Sequence, residues 1–151
     1  MRFTRFRRTT ATGAGLLLAA ALLAAGCGSD GRLSEQEYIE ENNKIQKRMA
    51  KSTEKLSGDA ANDPDALAAQ FGVVREDLKE ASSDFNALEP PEQWEDEHEV
   101  IVTSLEDTAD VMTKLQAAAK KQDTKALTAT FAELTEIQAR YRTAVDSINK
   151  Q

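Results

Sequence analysis

The sequence predicts an all-α protein, an antiparallel up-down-up-down four-helix bundle that follows an N-terminal export signal. Three observations predict this fold class. Apolar residues recur at spacings of three and four in four successive segments, which places them on one face of a helix. No stretch alternates apolar and polar residues as a half-buried strand does. Short turns separate the segments, and short turns favour antiparallel neighbours.

The first 26 residues have the layout of an export signal. Arg2, Arg5, Arg7 and Arg8 give a basic start without acidic residues, and residues 14 to 25 are only Ala, Leu and Gly. An apolar run of about 12 residues is too short to cross a bilayer as a helix, which takes about 20. The Arg7 and Arg8 pair leaves twin-arginine export open beside the Sec route.

The residues before Cys27 resemble a bacterial lipobox, formed by Leu23, Ala24, Ala25, Gly26 and the cysteine itself. In that family the cysteine thiol receives a diacylglyceryl group and the signal is cut just before it, so the resemblance implies lipidation of Cys27. Ala24 stands where Leu is commonest in the family. The same small residues suit an ordinary signal peptidase, which would release a soluble protein. The expected divisions are a signal peptide at 1–26, the acylated cysteine and a short tether at 27–33, and the bundle domain at 34–151.

The first helix is predicted over residues 34 to 57. Ser34 and Glu37 have the spacing of a capping box, in which each side chain satisfies a backbone amide at the start of the helix. Gly58 can adopt the left-handed conformation that ends a helix. The residues expected on the inner face of this helix are Tyr38, Asn42, Ile45, Met49, Ser52 and Leu56.

The second helix is predicted to begin at Asp63 and Pro64, because an acidic cap followed by proline is a start signal. Pro90 and Pro91 end it. Gly72 lies beside the apolar face and costs about 1 kcal/mol relative to Ala, which the close approach of a neighbouring helix would offset. The inner face is expected to hold Leu67, Phe71, Val74, Leu78, Ala81, Phe85 and Leu88.

The third helix is predicted to follow the two prolines at once, because acidic residues between Glu92 and Glu99 favour helix initiation. It closes at Lys120 and Lys121 and is expected to be the longest of the four, at roughly 30 residues or about 45 Å. Its inner face is expected to hold Trp94, His98, Ile101, Leu105, Thr108, Met112, Leu115 and Ala119.

The fourth helix is predicted to begin at Asp123, a plausible cap. Its apolar residues are Leu127, Phe131, Leu134, Ile137, Tyr141, Val145 and Ile148. Among the residues on the helix seams, a few are polar, and buried polar residues can fix the register of a bundle. They are Asn42, Ser52, His98 and Thr108.

Charge and cysteine content exclude several functions. Removing the four signal arginines from the 19 basic residues leaves 15 against 26 acidic residues, a formal net charge of −11. Such a chain repels nucleic acid and anionic lipid headgroups, so we expect no nucleic-acid partner. Cys27 is the sole cysteine, so no disulfide can form within the domain.

Glu95 and His98 are the residues that first suggest a metal. They form Glu-x-x-His, a pattern that di-iron bundle proteins use twice, and this chain has one histidine. The His-x-x-Glu of imelysin-like proteins is not met, because Ile101 stands three residues after His98. No nucleophile motif accompanies the histidine. We therefore expect no metal, no cofactor and no enzymatic activity.

A weak candidate site remains at His98, Glu95 and Trp94, for a ligand or for helix register. His98 is expected to bond a backbone carbonyl or a carboxylate such as Glu95, with its pKa raised by nearby acids. Trp94 is expected to plug the end of the bundle rather than to serve as a ligand platform.

The polar tether, the Pro90 and Pro91 turn, the histidine that follows and the final hairpin at Lys-Lys-Gln-Asp resemble small helical lipoproteins of actinobacteria with uncharacterised function. We expect an envelope lipoprotein on the outer face of the cytoplasmic membrane, held in the bilayer by the acyl chains on Cys27. It would act without catalysis, as an interaction or structural module that contacts an envelope protein. The alternative is a carrier that binds a small apolar ligand, a lipid or a metal ion between its helices, in a cavity left by Ala81, Ala119 and Ala144.

Overall fold

A computed structural model describes residues 31–54, 60 and 62–150, apart from the side chains of residues 52 and 53. The described residues form four α-helices: α1 (Glu35–Thr53), α2 (Pro64–Asn86), α3 (Glu95–Lys120) and α4 (Thr124–Asn149). A single 3₁₀ turn, Glu92–Trp94, precedes α3. The described part contains no strand, and the all-α prediction is confirmed. Within it, no helix is both long and apolar enough to span a bilayer.

The predicted start of α1 is confirmed in detail. The Ser34 hydroxyl lies 2.7 Å from the Glu37 carboxylate, which also accepts a hydrogen bond from the Ser34 backbone amide at 3.0 Å. The Glu37 amide donates to the Ser34 hydroxyl at 3.3 Å, which completes the capping box. The helix ends at Thr53. Leu56 and Gly58, the predicted last seam residue and cap, lie outside the described residues.

Asp63 caps α2 as predicted. Its carboxylate accepts hydrogen bonds from the amides of Asp65 at 3.0 Å and Ala66 at 3.2 Å, and Pro64 occupies the first helical turn. Next to the apolar face, a Cβ on Gly72 would meet the Gln116 amide nitrogen at 2.9 Å. That nitrogen donates to the Ala68 carbonyl at 3.1 Å. Gly72 therefore makes room for a side chain of α3, in line with the close approach that we expected.

The start of α3 differs from the prediction. Pro91 is followed by the 3₁₀ turn, in which the Trp94 amide donates to the Pro91 carbonyl at 2.9 Å, and α3 begins only at Glu95. The backbone of Trp94 leaves the helical path, with φ at −116° and ψ at 11°, as its side chain turns into the core. As a result α3 has 26 residues, the same number as α4, and the prediction that α3 is the longest helix is wrong.

A tight turn joins α3 to α4. The Asp123 amide donates to the Ala118 carbonyl at 3.0 Å and the Gln122 amide to the Ala119 carbonyl at 2.9 Å, the pair of bonds that defines a Schellman motif. Gln122 holds the left-handed position with φ at 53°, where glycine is usual. The Asp123 side chain then accepts from the Ala126 amide at 2.9 Å, which confirms the predicted cap of α4.

The helices pack as an antiparallel up-down-up-down bundle, as predicted, but unevenly. The contact between α2 and α3 is the most extensive, followed by that between α3 and α4, while α1 contacts α2 over a smaller area. Among the described residues, α1 and α4 make few close backbone approaches. Because α3 lies at the centre, its buried face is wider than the predicted stripe and includes Val102, Ala109, Val111 and Ala118.

The helix α1 is displaced toward the end of the bundle that carries the Pro90 and Pro91 turn. Arg48, near the end of α1, forms an ion pair with Asp84, near the end of α2. In an antiparallel pair this places Thr53 level with about residue 79, so that the first fifteen or so residues of α2 extend beyond the end of α1. The helices α2, α3 and α4 therefore form a longer three-helix unit, with α1 packed against one half of it.

Candidate functional site

The predicted lipidation site cannot be compared with the structure. Cys27 and the lipobox residues Leu23, Ala24, Ala25 and Gly26 lie outside the described residues, as does the whole predicted signal peptide. The lipidation of Cys27 therefore stays a prediction.

The segment that leads into α1 lies against the proline turn. The Arg32 guanidinium donates to the Pro90 carbonyl at 3.0 Å and forms an ion pair with Glu95. The Leu33 amide donates to the Glu89 carbonyl at 2.9 Å. These contacts fix the end of the predicted tether at the end of the bundle where α3 begins.

His98 bonds a different partner from the one predicted. Its Nδ1 atom lies 3.0 Å from the Tyr38 hydroxyl of α1, and the Glu95 carboxylate pairs with Arg32 instead. Burial lowers the pKa of His98, and the charge of Glu89 opposes this only in part. The expected carboxylate or carbonyl partner and the expected rise in pKa are both wrong, because the imidazole enters the apolar interface between α1 and α3 rather than the acidic surface.

Trp94 is fully buried beside this hydrogen bond. Its ring centroid lies 5.6 Å from that of Tyr38, and the Tyr38 ring contacts His98 edge-on at 5.8 Å. Burial raises the pKa of Tyr38 to about 12, with smaller contributions from Tyr141 and Glu97, so its hydroxyl stays protonated at neutral pH. The three rings close this end of the core, and Trp94 offers no surface to a ligand there.

Within residues 31–54, 60 and 62–150, no group of three or more His, Cys, Asp or Glu side chains stands close enough together to hold a metal ion. Glu95 and His98, the two members of the Glu-x-x-His pattern, contact different partners.

An apolar cavity of about 430 Å³, open to solvent on one side, lies between the helices. It begins at Met49, near the end of α1, and continues between α2, α3 and α4. It reaches solvent beside the exposed α4 residues Phe131, Gln138 and Arg142, of which Phe131 is 48% exposed. Ligand cavities in proteins usually measure about 300 to 1,000 Å³, so this volume suits a small ligand.

The cavity has an apolar half and a half that carries polar groups. The apolar half is walled by α2, the last turns of α3 and the first turns of α4. Its walls are Phe71, Val74, Leu78, Met112, Leu115 and Leu134. The other half includes the polar side chains of Ser104, Thr108, Gln138, Tyr141 and Arg142.

The register of α3 and α4 places two of these polar residues at the same level. Arg140 pairs with Asp107 at 2.7 Å and Lys114 with Glu133 at 2.6 Å across the antiparallel helices. Two residues beyond Arg140, Arg142 lies level with about Ser104. Ser104 is buried and Arg142 is exposed, so these two lining residues stand at the same end of the cavity, one on its inner side and one at its rim.

Ser104 is the most unusual residue in the cavity wall. It is 1% exposed, and its hydroxyl has no hydrogen-bond partner among the described residues. Its carbonyl accepts a hydrogen bond from the Thr108 hydroxyl at 2.7 Å, so Thr108 is already paired. A buried hydroxyl without a partner costs about 1 to 3 kcal/mol.

The three alanines that were expected to leave a cavity do not line this one. Ala81 and Ala119 are buried in the core, whereas Ala144 lines a second, more open groove of about 500 Å³ between α3 and α4. The cavity arises instead from the displacement of α1. One pattern in the sequence indicated this cavity. The apolar residues of α4 include Phe131 and Leu127, which lie further along the bundle axis than the apolar residues of the shorter helix α1.

Neither the families of known proteins, nor the curated proteins, nor the solved structures include a match to this chain. The likeness to small actinobacterial lipoproteins therefore stays a prediction from sequence.

Proposed function

We propose that this protein is a lipid-anchored envelope protein whose bundle binds a small apolar molecule in the cavity between its helices. The observation that carries the proposal is the cavity itself, about 430 Å³ in volume and walled by side chains of all four helices. Between the two functions expected from the sequence, a cavity favours the carrier, whereas a filled core would favour a module that acts only through protein contact.

The composition of the cavity supports a ligand. Ligand sites are mostly apolar with a few polar groups that fix orientation, and this cavity combines apolar walls with the polar residues Gln138 and Arg142 at its rim.

The anchoring part of the proposal rests on sequence. The lipobox-like residues before Cys27 support acylation, and two acyl chains would give stable attachment where one is marginal. Arg32 and Leu33 hold the end of the tether against the proline turn. Glu95 contacts the end of the tether. Ser104, at the nearer end of the cavity, would then lie about 14 Å further from the anchor than Glu95, since the two residues are nine positions apart in α3.

The alternative function, an interaction or structural module that contacts an envelope protein, stays a prediction. The exposed ring of Phe131 would suit a protein partner as well as a ligand. The cavity behind it has depth that a flat protein contact does not require, and this is why we favour the ligand.

A fluorescent apolar probe tests the proposal. N-phenylnaphthylamine should become brighter on binding the purified domain, and Leu134→Trp, which fills the apolar half of the cavity, should abolish the change. Ala132→Trp adds the same ring at an exposed position of α4 and should leave binding intact. Circular dichroism would verify that both variants are helical. Equal binding by wild type and Leu134→Trp would rule out the cavity as the binding site.

The anchor is tested separately. Wild-type protein should be recovered from the membrane fraction, and Cys27→Ala should be released from it. Release of the wild-type protein as well would mean that an ordinary signal peptidase processes the chain.

A further inference from the structure

We propose that the outer seam between α3 and α4 is a docking groove for a basic, amphipathic helix of another protein. This α3–α4 groove is lined by α3 between Asp96 and Lys114 and by α4 between Glu133 and Ser147. Among the residues that the structure describes, it shares no lining residue with the cavity of the proposed function. The inference therefore goes beyond that function and does not depend on it.

The groove has the length of a helix. It consists of two parts, of about 500 Å³ and about 460 Å³, and Arg140 lines both of them. The α3 residues that line the groove extend over 18 positions, from Asp96 to Lys114, or about 27 Å. A partner helix of about five turns would fill this length.

The part of the groove that begins at Asp96 has an apolar floor. Val100 of α3 is 39% exposed, and the α4 residues beside it include Ala139, Thr143 and Ala144. Ala139 and Thr143 are one turn apart, and their small side chains would let the backbone of a docked helix approach closely. A single exposed valine is ordinary on a protein surface. Here it adjoins small residues that the same partner would cover.

Acidic side chains surround this floor. In the lining that the structure describes, six carboxylates stand against two basic side chains, a formal net charge of −4. Both basic side chains are already neutralised, because Arg140 pairs with Asp107 at 2.7 Å and Lys114 with Glu133 at 2.6 Å. The remaining negative charge is available to a partner.

Two of the carboxylates, Asp110 and Glu136, lie at about the same level on opposite edges of the groove. The two ion pairs between α3 and α4 set the register of these antiparallel helices, and Asp110 is then level with about residue 137 of α4. Neither Asp110 nor Glu136 forms an ion pair within residues 31–54, 60 and 62–150. A lysine or arginine of the partner, placed between them, would be attracted by both.

This charge decides the kind of partner. A second copy of the chain would bring the same acidic rim, and the juxtaposition of like charges opposes such a dimer. A basic amphipathic helix instead covers the floor with its apolar face and reaches the carboxylates with its lysines or arginines. Val100 and Asp110 are ten positions apart in α3, or about 15 Å. The partner should therefore carry a basic residue about three turns from the apolar residue that covers Val100.

A labelled peptide tests this inference. The probe is a synthetic helical peptide of about 18 residues, made of Leu, Ala and Lys, with a leucine stripe flanked by lysines. Fluorescence anisotropy should show that it binds the purified protein, and more weakly at high salt. The same peptide with Glu in place of Lys should not bind. Equal binding of the two peptides would show that a basic partner is wrong.

A bulky residue in the groove assigns the binding to this face. Thr143→Trp should weaken peptide binding by at least about tenfold, because the indole would occupy the floor. Thr135→Trp is a matched control on α4 outside the groove and should retain binding. In both threonines the hydroxyl bonds the carbonyl one turn earlier, at 3.0 Å for Thr135 and 2.9 Å for Thr143. Equal binding by the two variants would place the peptide elsewhere.

Charge variants test the carboxylates at the centre of the groove. Asp110→Asn combined with Glu136→Gln should weaken peptide binding by about threefold to tenfold. Glu99→Gln combined with Asp146→Asn removes an equal charge from the same two helices, outside the groove lining, and should have a smaller effect. If the two double variants act alike, the peptide responds only to net charge and the groove is wrong.

Two further measurements separate this inference from a dimer and from the proposed function. A wild-type dimer in sedimentation that Thr143→Trp dissociates would assign the groove to a second copy and overturn the inference. N-phenylnaphthylamine should bind Thr143→Trp as it binds wild type. Peptide binding without binding of this apolar probe would mean that the groove stands and the proposed function fails.

Discussion

The Tyr38 hydroxyl and the His98 imidazole are hydrogen-bonded at 3.0 Å across the interface between α1 and α3. The two residues are separated by 60 positions in sequence, and their contact joins the most weakly packed helix to the central one. Which group donates depends on the tautomer of the imidazole. Because burial lowers the pKa of His98, the neutral ring is the form that the fold favours.

The stability of the domain should decrease as the pH falls through the normal range of histidine. The unfolded His98 titrates near pH 6.5 and the folded one at lower pH, so between these values the unfolded chain binds more protons. The contribution of His98 to the free energy of unfolding is therefore complete above about pH 6.5. It is lost as the pH falls toward the pKa of His98 in the folded protein. Urea unfolding at about pH 7.5 and about pH 5.5 measures the free energy of unfolding. Between these two pH values it should decrease less for His98→Gln than for wild type. An identical loss would contradict the lowered pKa.

Removing the Tyr38 hydroxyl should destabilise the fold by about 1 kcal/mol, the usual worth of one hydrogen bond. Tyr38→Phe keeps the ring contact with Trp94, so only the bond to His98 is lost. Tyr141→Phe is a matched control, since that ring is also largely buried and its hydroxyl does not bond His98. Denaturant midpoints measure both changes. Equal effects of the two variants would argue against a structural role for the Tyr38 hydroxyl.

Replacing Gly72 should have little net effect alone and a clear effect in combination. Gly72→Ala gains about 1 kcal/mol of helix propensity, but its Cβ would displace Gln116 from the Ala68 carbonyl. That loss is also about 1 kcal/mol. In a Gln116→Ala background the clash is absent, so Gly72→Ala should stabilise the domain there by about 1 kcal/mol. Additive effects of the two substitutions would show that they do not interact.

Replacing Gln122 with glycine should stabilise the turn between α3 and α4. Gln122 holds a left-handed φ of 53°, which costs a residue with a Cβ more than it costs glycine. We expect Gln122→Gly to raise the free energy of unfolding by about 0.5 to 1 kcal/mol. Lys121→Gly, at a right-handed position next to it, should lower the free energy of unfolding instead. Thermal unfolding compares the two variants, and a loss of stability in Gln122→Gly would refute the expectation.

Removing the Ser104 hydroxyl should stabilise the protein. The hydroxyl is buried without a partner among the described residues, so Ser104→Ala should raise the free energy of unfolding by about 1 kcal/mol. Thr108→Ala should lower it, because the Thr108 hydroxyl is bonded to the Ser104 carbonyl. A destabilised Ser104→Ala would mean that the hydroxyl already has a partner in the free protein.

The features that could be predicted from sequence are those that depend on neighbouring residues. The caps at Ser34, Asp63 and Asp123 were predicted correctly because each cap bonds backbone amides two or three residues away. The helices and their inner faces follow from the spacing of apolar residues in the same way. The antiparallel order follows from the short turns.

The features that could not be predicted depend on how the helices are positioned against one another. The partner of His98 is Tyr38 on another helix, and no local pattern identifies it. The wide buried face of α3 results from its central position. The cavity results from the displacement of α1 along the bundle axis. The ion pair between Arg48 and Asp84 defines this position of α1 relative to α2. For the same reason, Ser104 and Arg142 could not be recognised as lining residues of one cavity.

The contacts of Arg32 and Leu33 determine how the domain would respond to mechanical force. Tension applied to the N-terminal segment would first reach the bonds to Pro90, Glu89 and Glu95, which lie at the junction of α2 and α3. These two helices make the most extensive contact in the bundle. A pulling force would therefore be carried into the best-packed pair of helices before it could peel α1, with its few contacts, away from the cavity.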